Sequence, residues 1–545
     1  MGSQTKLLRT LIATALAMIG VFAFASVAQA DTYTVTKEAD TADGTCDSDC
    51  SLREAVIQAN STAADDNIVL NPGHYTLTIP GTEEDQAADG DLDLLDNGSI
   101  TIKGTSARDT IIDGLGVADT DNNFESERVF DVYARASISN VTVQGGSQGG
   151  SGGGIRIQGL RGQEVVPGGF SAPASLSLDN TSVSDNEASG SGGGIANQAG
   201  DLTISHSLLR NNYAESDGGA VVSYDGGTTH IENSTIQDNT ADSNDGCAGV
   251  GAVTGFGSTT TLLNDTIVDN TNLDGSCSTD PSAGLASDDV QSDGVPSPET
   301  SSMTVQNTIV ANNRTLGPVE STETFDVGGT PELNNCSGTT LTSGGYNIED
   351  GTDCGFTNTG DLQSTDPKLG ALDNNGGQTD TRALLEGSPA INTAGSGAPA
   401  DDQRGVSRPQ GAASDIGAFE VEVPAPPVPQ PVTPQQAKPG APTIAVAGVR
   451  RACTSSSSVS VKVKATIASG ATLKEVRVSL DGKRIATRTK GSFTLKVNAK
   501  KLKAGRHRLR VTVIDSAGQS KTSTKVLARC AQAKPKAKVQ PRFTG

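Results

Sequence analysis

One phrase recurs in the middle of the chain and restricts its fold more than any other feature. Asn180-Thr-Ser-Val-Ser-Asp-Asn186 returns as Asn233-Ser-Thr-Ile-Gln-Asp-Asn239 and again as Asn264-Asp-Thr-Ile-Val-Asp-Asn270. A looser copy reads Ser205-His-Ser-Leu-Leu-Arg-Asn211, and outlying copies read Asn140-Val-Thr-Val-Gln-Gly-Gly146 and Gln306-Asn-Thr-Ile-Val-Ala-Asn312. Glycine-rich phrases precede them: Ser191-Gly-Gly-Gly-Ile195, Asp217-Gly-Gly-Ala-Val221 and Gly249-Val-Gly-Ala-Val253. The central copies start at 180, 205, 233 and 264, so the intervals are 25, 28 and 31 residues. A period of this size marks a solenoid. Within each copy apolar and polar residues alternate, as in Leu202-Thr-Ile204, and no run keeps helical spacing. Short strands and one turn of chain per repeat predict a parallel β-helix, in which each coil pairs with those above and below.

Stacking assigns most of the recurring polar residues a structural task. Asparagine tolerates the left-handed turn conformation and bonds its own backbone. The alignment predicts a ladder of Asn186, Asn211, Asn239 and Asn270. The glycine phrases supply corners where backbones meet closely. The two phrases together resemble the GGAI and FxxN repeats of the polymorphic outer-membrane proteins, carried here by Gly218-Gly-Ala-Val221 and Ile236-Gln-Asp-Asn239. The aromatic residue of that family is replaced by Ile, Val or Leu, so the resemblance concerns the coils and not a membrane barrel.

The ends of the array have their own signals. Met1 to Ala30 reads as a secretory leader: Lys6 and Arg9, an apolar run from Leu11 to Phe24, and Ala28-Gln-Ala30, with cleavage expected between Ala30 and Asp31. Nothing after it is apolar enough to span a membrane. Residues 31–60 predict a cap. Ser51-Leu-Arg-Glu54 is a capping box opening a short helix, and Leu52, Ala55, Val56 and Ala59 share one face of it. Arg53 and Glu54 are expected to be capping and solvent-exposed. Cys50-Ser-Leu-Arg-Glu-Ala-Val-Ile-Gln-Ala-Asn60 resembles the CSLREA domain at the front of bacterial β-helix surface proteins. Coils then fill 61–365. Residues 366–420 carry four blocks, Asp366-Pro-Lys-Leu-Gly-Ala-Leu-Asp-Asn-Asn-Gly-Gly-Gln-Thr379, Gly387-Ser-Pro-Ala-Ile-Asn392, Asp402-Gln-Arg-Gly-Val-Ser-Arg-Pro409 and Asp415-Ile-Gly-Ala-Phe-Glu420. They resemble the choice-of-anchor Q domain, although Asn392 stands where that family has Asp. The resemblance implies that this segment forms the far end of the β-helix and that the protein works at a surface.

The rest of the chain differs in kind. Residues 421–442 hold eight prolines and predict a stiff linker. Residues 443–531 alternate strictly, as in Val459-Ser-Val-Lys-Val463 and Leu509-Arg-Val-Thr-Val513, with a tight hairpin at Asp481-Gly482. They predict a small β-sandwich resembling bacterial immunoglobulin-like modules, followed by a basic, disordered tail at 532–545. Charge divides at the linker. From Thr443 onward 24 Lys and Arg face three acids, a net of +21; residues 31–442 hold 15 basic and 60 acidic residues, a net of −45. The fold class is therefore all-β: a parallel β-helix with a short N-terminal helix, then an Ig-like sandwich.

Chemistry is harder to find. Eight cysteines in an exported chain suggest bridges, and neighbours suggest Cys46–Cys50, Cys247–Cys277, Cys336–Cys354 and Cys453–Cys530, a pairing that spacing alone leaves open. Asp185, Asp238 and Asp269 share a repeat position. Coils stack about 4.8 Å apart, which would bring Asp238 and Asp269 near the roughly 5 Å separation of retaining glycosidases. Any repeated aspartate on a β-helix acquires that spacing, Arg210 interrupts the row, and there is no tryptophan to stack on a sugar. His206 and His230 fall at different repeat positions. The acidic loop containing Asp89, Asp91 and Asp93 admits calcium as a cofactor but is no EF-hand, since Leu94 occupies the position of the turn glycine. The expectation is a non-catalytic secreted or cell-surface protein for adhesion or matrix contact. Its partner would be an anionic cell-wall polymer or extracellular glycan, not nucleic acid, and its oligomeric state stays open. The alternative is a polysaccharide lyase or glycoside hydrolase.

Overall fold

The computed structural model describes residues 30–81, 86–95, 98–114, 128–159, 174–242, 251–273, 282–289, 299–316, 331–422, 440–449, 453–468 and 471–530. The leader, the stretch holding Cys247, the stretch holding Cys277, most of the Pro-rich linker and the basic tail lie outside them. The chain divides into two compact units at residue 424.

The first unit is a parallel β-helix with four sheets. Among the described residues these have ten, nine, eight and seven strands, parallel except for the edge strand Pro331–Leu333. One coil runs through Ile195–Gln198, Asp201–Ser205, Leu208–Arg210 and Tyr213–Ala214, one short strand for each sheet. Inward residues stack in columns. Ile138, Leu178, Ile204, Ile231, Leu262 and Val305 are in register, as are Val183, Leu209, Ile236, Ile267 and Val310. All are buried in one continuous core. Each contributes roughly 2 kcal/mol of burial, and a coil without neighbours would lose most of it.

Two polar ladders run inside the corners. In the first, Nδ2 of Asn186 donates to Asn212 at 3.0 Å, Asn212 to Asn239 at 2.9 Å, Asn239 to Asn270 at 3.0 Å, Asn270 to Asn313 at 2.8 Å and Asn313 to Asn335 at 3.0 Å. The predicted member Asn211 is corrected to Asn212. The looser copy begins at His206, not Ser205, and the last begins at Asn307, not Gln306. The steps along the ladder are therefore 26, 27, 31 and 43 residues as far as Asn313. The doublets Asn211-Asn212 and Asn312-Asn313 hid this one-residue slip. The first residue of each doublet takes the left-handed turn (φ 56° and 55°), as Asp185, Asp238 and Asp269 do (φ 62°, 57° and 59°). The second points inward. The other ladder runs from Thr181 through Ser207, Ser234, Asp265 and Thr308 to Asn347, and in it each backbone N–H donates to the side-chain oxygen of the following coil.

The front end is closed by the expected helix, with two side chains placed differently, and the far end is closed by another segment than expected. At the front, Ser51 caps the helix α1 (Leu52–Asn60), and the reciprocal bond from Ser51 N to Glu54 Oε2 is 2.8 Å. Leu52, Ala55, Val56 and Ala59 cover the first coil. Arg53 and Glu54 are not exposed. Arg53 is fully buried and ties α1 to Asp40 at 2.8 Å and to the carbonyls of Ala87, Gly90 and Asp91. Burial alone would raise the Glu54 carboxyl, but hydrogen bonds from Thr41, Ser51 and Asp43 hold it at about 2. At the far end the closure lies within residues 350–361. Phe356 plugs the core, Cys354 bridges to Cys336, and both ladders terminate on carboxylates: Asn335 on Asp350 at 2.8 Å and Asn347 on Asp361 at 2.8 Å.

Residues 366–420 therefore do not close the end. They run back along one flank as a strap touching coils from Arg108 to Asn307. Its apolar side, Leu384, Ala390, Ile416 and Phe419, covers the outward residues Val268, Ile309 and Ala311. Within it Asp402, Arg404, Arg408, Asp415 and Glu420 form a buried polar knot, in which Arg404 pairs with Asp402 at 2.7 Å and Arg408 with Glu420 at 3.4 Å.

The second unit is a sandwich of two antiparallel sheets. Strands β1 (Thr443–Ala447), β2 (Val459–Thr466) and β5 (Ser492–Val497) form one sheet in the order β1-β2-β5. Strands β3 (Leu473–Leu480), β4 (Lys483–Arg488), β6 (Gly505–Asp515) and β7 (Ser520–Arg529) form the other in the order β4-β3-β6-β7. Val461, Val463, Val476, Val478, Leu509, Val511 and Val513 fill the space between them. Cys453 and Cys530 are bridged across the module's ends.

Candidate functional site

The three repeated aspartates occupy an outer corner of the β-helix. Each takes the left-handed turn just before a ladder asparagine, so the corner itself accounts for a small polar residue there. Asn211, not Arg210, stands between Asp185 and Asp238. Arg210 lies in the strand, in register with Ser184 and Gln237. Asp238 and Asp269 are thus the one adjacent pair of carboxylates in the row. Asp269 is held by the strap, with Arg382 Nη1 at 2.5 Å, and by Nδ2 of Asn312. Asp238 Oδ2 accepts from Gln237 at 2.9 Å. Loss of solvation pushes the Asp238 carboxyl above its ordinary range, and the neighbouring Asp269 adds to the push.

The acidic loop contributes to a different cluster from the one expected. Asp91 and Asp93 gather with Asp131, and Asp89 stays outside the group. All three are buried. Arg128 Nη1 lies 3.0 Å from Asp91 and 3.3 Å from Asp131, Arg156 grips Asp131, and Asp93 accepts the Ala87 N–H at 2.9 Å. Two guanidiniums already pair with two of the three carboxylates. A hard cation here would have to displace Arg128, so the donor set fits calcium poorly.

Two titratable groups outside the expected site residues stand out, His206, whose repeat position differs from that of His230, and Asp265. His206 takes a corner position where other coils have Asn140, Asn180, Asn233, Asn264 and Asn307. Its ring joins Asp179 at 2.9 Å to Asp401 of the strap at 3.3 Å. The bond to Asp179 raises the imidazole above its ordinary value, against the effect of burial. Asp265 replaces a hydroxyl in the second ladder, and complete burial raises its carboxyl to about 8 despite bonds from the Ser234 and Leu263 amides. The replacement of Asn by His at one repeat position was a visible signal. The Asp265 signal was equally visible, as an acid where the adjoining copies have Thr181, Ser207, Ser234 and Thr308, but only in the corrected register.

The sandwich carries charge of the opposite sign on both outer faces. Lys462 and Lys464 of β2 and Lys496 of β5 alternate with core residues on one side. Arg477 of β3, Arg484 of β4 and Arg506, Arg508 and Arg510 of β6 face out on the other. Of the acids, Asp515 is buried, Asp481 accepts from the Arg508 N–H and touches His507, and Glu475 pairs with Arg477.

Residues 450–511 match the family described as bacterial Ig domain. No curated protein and no solved structure matches the chain. The match agrees with the antiparallel sandwich and suggests a surface or extracellular protein. The disulfides Cys46–Cys50, Cys336–Cys354 and Cys453–Cys530 are compatible with that setting. Among the described residues no helix is long and apolar enough to cross a membrane.

Proposed function

We propose that the chain is an exported, non-catalytic surface protein whose β-helix is a projecting acidic rod and whose Ig-like module attaches it to an anionic polymer of the cell wall or matrix. The observation that carries this reading is the division of charge, −45 over residues 31–442 and +21 from Thr443 onward. A rod of the first kind repels an anionic surface, while a module of the second kind is drawn to it. The leader and the resemblances to CSLREA and choice-of-anchor Q domains support export and a surface role. The repeated aspartates and asparagines support a non-catalytic rod, because corners and ladders already employ them. The test is co-sedimentation of the full mature chain with purified bacterial cell walls. Retention at low salt and release at high salt is expected, since exposed charges are screened within about 10 Å at 0.1 M. Absence of binding at every salt concentration would remove the proposal.

A second reading, glycan cleavage at the Asp238–Asp269 corner, is favoured by the raised Asp238 carboxyl beside a second carboxylate. It requires cleavage of some neutral or anionic glycan by the intact chain and loss of that cleavage in Asp238→Asn. A broad glycan screen without cleavage counts against it.

A further inference from the structure

The two outer faces of the sandwich are both basic, but their chemistry differs. The face of the four-stranded sheet is built from arginine. Val476 and Val478, Leu509, Val511 and Val513, and Leu527 point into the core, so their alternates point out. Register then sets Arg484, Ser479, Arg510 and Thr524 in one row across the strands, and Thr487, Arg477, Thr512 and Thr522 in the next. Along β6 the arginines at 506, 508 and 510 follow one another at about 7 Å. Arg477, Arg484 and Arg506 are exposed, and Arg508 and Arg510 are half-buried. The opposite face offers lysine instead, at 462, 464 and 496.

We infer that the arginine face of the four-stranded sheet is a binding site for a phosphodiester-linked polyanion. The inference rests on the proposed attachment of the module to a polyanion and names the face and the ligand chemistry. A guanidinium presents a planar fork that meets two phosphate oxygens at once, whereas an ammonium acts as a point charge. The other side chains of the rows include the hydroxyls of Ser479, Thr512, Thr522 and Thr524; Thr512 and Thr522 bond each other at 2.9 Å, which leaves one of that pair, with Ser479 and Thr524, to donate to acceptor-only phosphate oxygens. An acidic glycan would ask for more. Its sugar hydroxyls need acceptors and its rings need an aromatic platform. Glu475 on this face is taken by Arg477, and no aromatic side chain lies among the residues of the two rows. A chain of phosphates spaced by small polyols asks only for what the face provides.

The test uses the full mature chain and two probes, poly(glycerol phosphate) and polygalacturonate, titrated at low and at physiological salt. Two triple variants each remove three charges: Arg506→Gln with Arg508→Gln and Arg510→Gln, and Lys462→Gln with Lys464→Gln and Lys496→Gln. Wild type is expected to prefer the phosphate polymer at physiological salt. The arginine triple should weaken that binding about tenfold or more and the lysine triple less than about threefold, since exposed charges away from the contact act only through a screened field. A third variant, Arg506→Lys with Arg508→Lys and Arg510→Lys, keeps charge and fold and should still lose about threefold by losing the forks. Equal losses in the two Gln triples, equal binding of polygalacturonate, or an unchanged Lys variant would overturn the inference while leaving the attachment proposal intact. So would self-association that the arginine triple abolishes while polymer binding stays unchanged; the face would then meet the acidic rod of a second copy. Failure of wild type to bind either probe or cell walls at low salt would overturn both.

Discussion

In the β-helix the informative polar residues point inward, and in the sandwich they point outward. Asn186, Asn212, Asn239, Asn270, Asn313 and Asn335 are buried, and each amide serves a neighbouring coil. The sandwich fills its interior with valine and leucine and displays its Lys and Arg. The difference follows from connectivity. A parallel coil turns a corner every few residues and strands backbone N–H groups inside, where each unmet group costs about 1–3 kcal/mol. Antiparallel hairpins turn at the surface, where water and residues such as Asp481 meet them. A repeated polar residue in a solenoid is therefore first a corner device, and a function is better sought where charge is displayed at the surface.

That contrast can be broken at several points. The largest effect expected is on the sandwich, whose bridge Cys453–Cys530 spans 77 residues and stabilises it by roughly 4 kcal/mol through loop closure. Calorimetry with and without reductant should lower the sandwich transition more than the β-helix transition, because a given loss moves the midpoint of a small domain further than that of a large one, even though Cys46–Cys50 and Cys336–Cys354 close loops of 4 and 18 residues in the β-helix. A larger drop in the β-helix would show that its ladders matter less than its bridges.

Asp265→Thr should stabilise the β-helix by roughly 1–2 kcal/mol at pH 8, since a hydroxyl can accept the Ser234 N–H without a buried charge. The sign is fixed by the raised carboxyl. Its folded value, about 8, lies above the unfolded one near 4, so this group favours folding most at low pH and loses that advantage as pH climbs from about 4 through 8. Melting midpoints of the variant should show a flatter pH slope than wild type; an identical slope would remove Asp265 as its source.

His206→Asn should cost less, roughly 0.5–1 kcal/mol, because asparagine suits the same corner. A raised imidazole stabilises fully below its unfolded value near 6.5 and ceases to as pH rises through the folded value. The wild-type advantage should therefore be present at pH 5.5 and gone at pH 9, read as the difference in melting midpoint. The smallest effect concerns calcium. Millimolar calcium should leave the midpoint unchanged, because Arg128 already bridges Asp91 and Asp131 and Arg156 holds Asp131. A rise of several degrees would show that the arginines yield.

Much of the architecture was legible because the repeat is long and its apolar columns are regular. The register was legible only in part. Leu208 and Leu209 are both leucine, so the looser copy fitted either alignment, and a one-residue slip exchanges the two faces of a strand. The same slip hid the hydroxyl ladder and made Arg210 look like an interruption. The strap was misplaced because composition shows that a segment covers apolar surface without showing which surface; Val268, Ile309 and Ala311 are apolar on the outward side and marked the flank. Arg53 was read as exposed because a charged residue at a helix start normally is. Its partners, the carbonyls of Ala87, Gly90 and Asp91, lie more than thirty residues away. The arginine face was visible as charge, but its separation from the lysine face needed the strand register.

The central claim is that the repeated asparagines hold the coils together from inside, and the neighbours Asn211 and Asn212 test it most directly. Alanine at 212 removes the acceptor of the Asn186 amide and the donor to Val183 O and Asn239. Alanine at 211 alters an outer left-handed turn and a long, 3.5 Å bond to Asp185. Thermal or denaturant unfolding should show a loss on the order of 3 kcal/mol for Asn212→Ala and about 1 kcal/mol for Asn211→Ala. Equal losses, or the reverse order, would contradict the ladder and with it the structural reading of the repeat.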